Sequence, residues 1–273
     1  MGIVDGKVAF VTGAARGQGR SHAVRLAEEG ADILAVDLCR NIASVPYDLA
    51  TPDDLAETAT LVQATGRKVV ALEADVRDYA SLERAVAEGT EELGELDIVV
   101  ANAGIVSFAT VSEMSEQMWQ DTIDINLSGV FRTVKAALPH MADGGSIVIT
   151  SSNGGLKAYE NCGHYVAAKH GLTGLMRTLA KELAPRGIRV NTVNPTSVKT
   201  DMLLNDATLR LFCPGIENPT WDDFAAVSRQ EQVLDVPWVE PADVSNAILF
   251  MVSDATWWMT GVALPVDAGN VIK

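Results

Sequence analysis

The 273-residue sequence is short of several things, and each shortage closes off a class of function. Cysteine is scarce: Cys39, Cys162 and Cys213 are odd in number and far apart, which fits neither a disulfide framework nor a zinc spacing. The four histidines do not fall into the HExxH pattern of a metalloprotease. No apolar run is long enough to span a bilayer. The opening MGIVDGKVAFVTG lacks the basic stretch, apolar core and small-residue cleavage site of a secretion signal. Asp5 and Gly6 stand where a myristoylation motif ends in Ser or Thr. Positive charge is in deficit as well. Against 36 acidic residues there are 21 Lys and Arg, a net charge of −15 that argues against nucleic acid or an anionic membrane as partner. The expectation is a cytoplasmic protein in a reducing compartment, with no bound metal, no nucleic acid and no membrane.

What is present is a repeated alternation. KVAFVTG, ADILAVDL, KVVALEADV, LDIVVANAG, GSIVITSS, IRVNTVNP and ALPVDAG are seven strand candidates, apolar almost throughout, as strands covered on both faces are. Helical stretches such as SHAVRLAEEGA and YASLERAVAEGTEELG separate them. This β-α alternation predicts a single-domain α/β protein over residues 1–273, a Rossmann-type doubly wound parallel sheet of about seven strands with helices on both faces. Two segments break the alternation. One lies within residues 36–62, where about a dozen residues between Asp37 and Thr51 carry neither period. The other, residues 200–240, combines Pro214, Pro219 and Pro237 with Phe212, Trp221, Phe224 and Trp238. Long strand-free segments are usually functional or mobile, so a substrate lid or a self-packed surface excursion both fit the second.

TGAARGQG, Thr12 to Gly19, follows the first strand and opens a helix. Gly13 permits the tight turn, Gly17 lets backbone approach a pyrophosphate, and Gly19 allows close helix–strand packing, with Arg16 and Gln18 in the same loop. Free N–H groups and the positive helix end then favour phosphate. Asp37 follows Gly19 by 18 residues at the end of the second strand, where a carboxylate accepts from an adenosine ribose. A 2′-phosphate about 4 Å away would be repelled by roughly 4 kcal/mol per unit charge at an effective dielectric near 20, so NAD is expected over NADP. Arg16 and Arg40 argue the other way, but Asp37 holds the ribose position itself. Leu38, Asp75, Val76 and Asn102–Gly104, with Ala103 between, end or follow strands on the same sheet edge and complete the expected cofactor contacts.

HYVAAKHG places Tyr165 and Lys169 four apart, on one helix face. Ser152 ends the fifth strand and Asn126 lies inside another helix, in DINLSGVF. Removing hydride from an alcohol carbon requires a base for the hydroxyl proton. A tyrosine with a pKa near 10 falls short at pH 7 by about 3 units, roughly 4 kcal/mol. An ammonium about 4 Å away supplies approximately that much at an effective dielectric near 20. Tyr165 therefore needs Lys169, which should also hold the nicotinamide ribose, while Ser152 holds the substrate oxygen. Tyr159 has no lysine four residues on, and Ser151 is one residue out of register.

Taken in order, Thr-Gly-x-x-x-Gly-x-Gly, Asn-Ala-Gly, Ser152, Tyr-x-x-x-Lys and Asn-Pro resemble the short-chain dehydrogenase/reductase family over nearly the whole chain. The resemblance implies that Asn126 holds a water linking Lys169 to solvent, and that Pro195, Thr196, Val198 and Thr200 face the nicotinamide. NPTSVKT departs from the usual Asn-Pro-Gly, with Thr196 in the glycine place. DLCRNIASVPYDLATPDDLAET, HYVAAKHG, NPTSV and PVDAGNVIK together resemble the mycofactocin-associated, carveol dehydrogenase-like subfamily. That resemblance implies oxidation of a cyclic or terpenoid secondary alcohol, with NAD held tightly and reoxidised by an external redox carrier, in a homotetramer. Apolar Met202, Leu203, Leu204, Leu209, Leu211, Phe212 and Trp221 suggest a small apolar alcohol or ketone as substrate. A freely exchanging NAD(P)-linked ketone or 3-oxoacyl reductase, and a non-catalytic dinucleotide sensor, are the alternatives. The segment after Asp37 is either a surface bulge or a clasp in which Leu38 to Pro46 fold over the adenosine.

Overall fold

In the computed structural model, which describes residues 2–273, all seven expected strands form one parallel sheet in the order β3-β2-β1-β4-β5-β6-β7. They are β1 (Val8–Thr12), β2 (Asp32–Asp37), β3 (Val69–Glu73), β4 (Leu96–Ala101), β5 (Met141–Thr150), β6 (Arg189–Pro195) and β7 (Ala263–Val266). The apolar runs are explained by two core layers, because successive side chains point to opposite faces. Phe10, Leu34, Val36 and Val99 belong to one layer; Ala9, Val11, Ile33 and Val100 belong to the other.

Helices close both faces. Residues of α3 (Tyr79–Leu93), α5 (Val130–Ala137) and α6 (Gly163–Glu182) fill the first layer. Those of α1 (Gly17–Glu28), α2 (Pro52–Ala64) and α9 (Pro241–Val252) fill the second. Thr51 caps α2 through a capping box with Asp54, so the helix begins where its sequence signal lies. Among the described residues no helix is long and apolar enough to cross a membrane, and no cluster of potential metal ligands occurs.

Two departures from the simple reading matter for the site. Asn126 does not sit in regular α-helix: between α4 (Glu116–Ile123) and α5, residues Asp124–Gly129 form a turn of π-helix. Such turns rotate a side chain out of the helical period and cluster at functional sites. The segment 200–240 holds α7 (Asp206–Phe212) and α8 (Trp221–Gln230), packed on a small core of its own. Phe224 is fully buried there, edge-on to Phe212 at 5.1 Å and to Trp221 at 5.9 Å, and stacked on Trp238 at 6.1 Å.

Candidate active site

The strand order reverses between β1 and β4, and in a parallel sheet the crevice opens at the carboxyl ends of the strands flanking that point. A groove occupies this place. Its lining includes Gly13, Arg16, Gly17, Gln18, Gly19, Asp37, Leu38, Asp75, Val76, Asn102, Ala103, Gly104, Tyr165, Lys169 and Thr200. Fifteen cofactor positions expected from sequence thus share one concavity. Pro195, Thr196 and Val198 do not: they line an adjoining cavity of about 480 Å³. Pro195 ends β6 and the other two follow it, so the chain leaving that strand lines this second space together with Tyr165. Gln18, Ser151, Tyr165, Thr200 and Met202 line both spaces and mark the seam.

The glycine loop is built for a close approach. Gly13 has φ +67°, and a Cβ on Gly19 would come within 1.9 Å of the Gly13 carbonyl oxygen. Asp37 is held rigidly, accepting from the Ala15 N–H at 3.0 Å and the Cys39 N–H at 3.3 Å. Gln18 Oε1 is buried without a donor, the state expected of a group that meets a polar ligand. Glycine loop, ribose-site carboxylate and orphaned acceptor together fit a bound dinucleotide.

Neither arginine that argued for NADP is free to hold a 2′-phosphate. The Arg16 guanidinium donates to the Asp48 carbonyl and pairs with Asp201 at 3.1 Å. Arg40 lies 3.3 Å from Asp75. Burial pushes the Asp75 carboxyl up, but hydrogen bonds from Arg77, at 2.8 Å to 3.1 Å, outweigh it and leave the group below its ordinary value. We expect turnover with NAD to exceed that with NADP by at least about a hundredfold, from the roughly 4 kcal/mol charge repulsion at Asp37. Comparing kcat/KM for the two cofactors checks this, and a preference for NADP would overturn it.

Residues 38–50 cross the groove instead of bulging away from it. Leu38, Ile42, Tyr47, Leu49 and Ala50 line it. The crossing is fastened on the opposite wall, where Ser44 Oγ donates to Asp121 at 2.7 Å and the Val106 N–H donates to the Tyr47 hydroxyl at 3.2 Å. Asn41 braces the turn, donating to Asp48 at 3.1 Å and accepting from the Leu49 N–H at 2.7 Å. The crossing therefore runs past Pro46 to Ala50, further than the sequence placed it.

At the seam, Tyr165 and Lys169 lie on one face of α6, with the ammonium 5.5 Å from the phenol ring centroid. Lys169 Nζ donates to the Thr150 carbonyl at 2.9 Å, at the end of β5. Burial pushes the Tyr165 hydroxyl up to about 12, partly opposed by the neighbouring Ser152 hydroxyl, and pulls the Lys169 ammonium down to about 8. Burial thus drives both groups toward neutrality, against the lowering of the tyrosine expected from spacing alone. Asn126 uses its amide on Ile105, accepting from the N–H and donating to the C=O, both at 2.8 Å. That pair fixes the loop after β4, a role its sequence position did not reveal. Ser151 Oγ donates to the Lys169 carbonyl, and Tyr159 donates to Asn270, so neither faces the chemistry as an acid or base.

The adjoining cavity has an apolar side. Met202, Leu203, Leu211 and Phe212 line it, whereas Leu204, Leu209 and Trp221 do not. Val106, Phe108 and Pro214 add to that side. Among the described residues that line it, the only charged ones are Glu160 and Glu231.

The short chain dehydrogenase family matches residues 7–208. A (-)-trans-carveol dehydrogenase of Rhodococcus erythropolis is 52% identical, covering all of both chains. A carveol dehydrogenase from Mycobacterium avium, solved in complex with NAD, superposes with a TM-score of 0.98 at 57% identity, covering all of both chains. More distantly, a trans-4-hydroxycyclohexanecarboxylate dehydrogenase of Sinomonas cyclohexanicum is 38% identical over 97% of this chain and 92% of its own.

Proposed function

We propose, from the premise that this chain belongs to the short-chain dehydrogenase/reductase family, that it oxidises a neutral cyclic secondary alcohol to its ketone with NAD. The observation that carries the reading is the seam itself. Tyr165 borders both the dinucleotide groove and the apolar cavity, so one hydroxyl faces both reactants. The glycine loop would hold the pyrophosphate and Asp37 the adenosine ribose. When bound, the nicotinamide supplies the hydride acceptor. Tyr165 takes the alcohol proton at its phenolic oxygen, Ser152 holds the substrate oxygen, and Lys169 stabilises the charged phenolate from its anchor on Thr150. Asn126 keeps the wall beside Gly104 in place. Leu203, Leu211 and Phe212, on residues 200–240, close the cavity as a lid.

The pH dependence follows from the direction of the Tyr165 shift. With its hydroxyl raised to about 12, the base form is scarce at pH 7 and grows about tenfold per pH unit. Alcohol oxidation should therefore climb between pH 7 and pH 10, whereas ketone reduction, which uses the protonated hydroxyl, should stay nearly level over the same range. Initial rates in both directions check the sign; oxidation that falls as pH rises would contradict it.

The crossing at residues 38–50 supports a cofactor that stays bound between turnovers and is reoxidised in place by an external carrier of the mycofactocin kind. A homotetramer is supported by exposed apolar side chains in two places: Trp119 and Phe131 on α4 and α5, and Phe250, Trp257 and Trp258 at and after α9. The three cysteines are free and buried, in keeping with the cytoplasm. Denaturing the purified protein and identifying the released nucleotide tests the cofactor, with NAD near one per chain expected. A panel of secondary alcohols assayed with an artificial electron acceptor tests the reaction. Turnover only with added NADH and open-chain 3-oxoacyl substrates would replace this reading with that of a freely exchanging reductase.

A further inference from the structure

Beneath the cavity a run of hydrogen bonds has only one consistent polarity. Asn270, in the C-terminal tail after β7, sends its amide N–H to the Glu231 carbonyl at 2.8 Å. A backbone carbonyl only accepts, so Asn270 must present nitrogen there and its oxygen on the other side. That oxygen receives the Tyr159 hydroxyl at 2.6 Å and the Asn153 amide nitrogen at 2.8 Å. Asn153 sends the same nitrogen to Thr196 Oγ1 at 3.2 Å, so its oxygen is left facing Ser152. Ser152 Oγ accepts from the Gly154 N–H at 3.0 Å and has its own proton on Asn153 Oδ1 at 3.0 Å. Asn153, Asn270 and Ser152 are all buried in the cavity wall.

We propose that Asn153 and Asn270 are positioning residues, a relay in which the Glu231 carbonyl sets the direction of the Ser152 O–H and parks it away from Tyr165. The proposal rests on the assignment of Ser152 and Tyr165 to the chemistry. Its consequence is electrostatic. Ser152 already lowers Tyr165 in part, and it can give a phenolate its full proton only by leaving Asn153. The intact relay thus keeps Tyr165 protonated; removing Asn153 frees the Ser152 proton directly, and removing Asn270 frees it by letting the Asn153 amide turn over, since Thr196 Oγ1 can donate as well as accept. The other titratable groups near Tyr165 are Lys169 and Cys162 on its own helix and its N-cap, Tyr47 in the crossing and Tyr159 before α6. Of these only Tyr159 touches Asn270, and subtracting the Tyr165→Phe variant in the same background removes its own titration from the comparison.

The test is a titration of Tyr165 in the NAD-loaded protein by tyrosinate ultraviolet absorbance, subtracting the Tyr165→Phe variant, with the alkaline rise of alcohol oxidation recorded alongside. Asn153→Ala and Asn270→Ala should each move the Tyr165 transition to lower pH by about one unit. In a Ser152→Ala background the Asn270→Ala shift should vanish, because the relay acts only through that hydroxyl. Nucleotide released on denaturation, unchanged across the set, reports that each variant is folded. An Asn270→Ala variant that titrates like the parent overturns the proposal, and so does a shift that survives Ser152→Ala. Should Asn270→Ala lose its nucleotide, Asn153→Asp decides: it keeps an acceptor for Ser152, so a transition as low as that of Asn153→Ala would also overturn it. Because the spectral titration needs no turnover, a failed alcohol panel and a failed relay give different results.

Discussion

Replacing Tyr165 with phenylalanine is expected to lower alcohol turnover about a thousandfold or more, the upper range for losing a general acid–base, while leaving NAD bound. The substitution removes one oxygen and keeps the ring, which packs against Gly154 with 3.4 Å to the nearest ring carbon from a virtual Cβ there. Lys169 keeps its bond to Thr150, and neither the glycine loop nor Asp37 uses the phenol. Binding and chemistry should therefore separate cleanly. Released nucleotide per chain measures the first, and initial rate with an artificial acceptor measures the second. Residual activity within tenfold of the parent would mean that the proton goes elsewhere.

The second large effect is on cofactor retention. Replacing residues 39–49 by a short turn should speed NAD release by about a hundredfold, since three fastenings of about 1 kcal/mol net each are lost together. These are Ser44 to Asp121, Tyr47 to Val106, and Arg16 to Asp48. The exposed Arg16–Asp201 pair adds little, as surface ion pairs do. A milder double variant, Ser44→Ala with Tyr47→Phe, breaks two ties without shortening the chain and should give an intermediate rate. Loss of bound nucleotide on dilution or dialysis is the measurement. A release rate unchanged in both would reduce the crossing to a surface ornament.

The two changes probe parts of the molecule that differ in how plainly the sequence announced them. The sheet was legible because each strand is buried on both faces, which leaves an apolar run where β1 alternates Phe10 with Val11 into separate layers. Glycine loop, Asp37, Ser152, Tyr165 and Lys169 were legible because strand ends and helical spacing carry them to one edge. Other parts were not. Asn126 reads as a helical residue, because a π-turn changes the helical phase within an otherwise continuous helical run. Thr196 reads as a cofactor contact, and its hydroxyl's ties to Asn153 and Gln232 leave no mark in the sequence. Tyr47 and Asn270 lie in stretches that carry the subfamily resemblance, but nothing local marks what either does. Each works through a partner distant in sequence, Val106 in one case and Asn153 in the other, and local patterns do not record such pairings.

The crossing and the cavity also bear on the order in which reactants would meet. Residues 38–50 line the groove and the cavity adjoins it, the two spaces sharing Gln18, Ser151, Tyr165, Thr200 and Met202. With the proposed clasp closed, alcohol and the proposed external carrier would share that cavity as their way to the nicotinamide. They cannot occupy it together, so the ketone must depart before the carrier enters. Steady-state rates should then follow substituted-enzyme kinetics, with parallel double-reciprocal lines and each reactant inhibiting against the other at high concentration. A loop that looks like a device for keeping one molecule in is, on this geometry, also a rule about the order in which two others take turns.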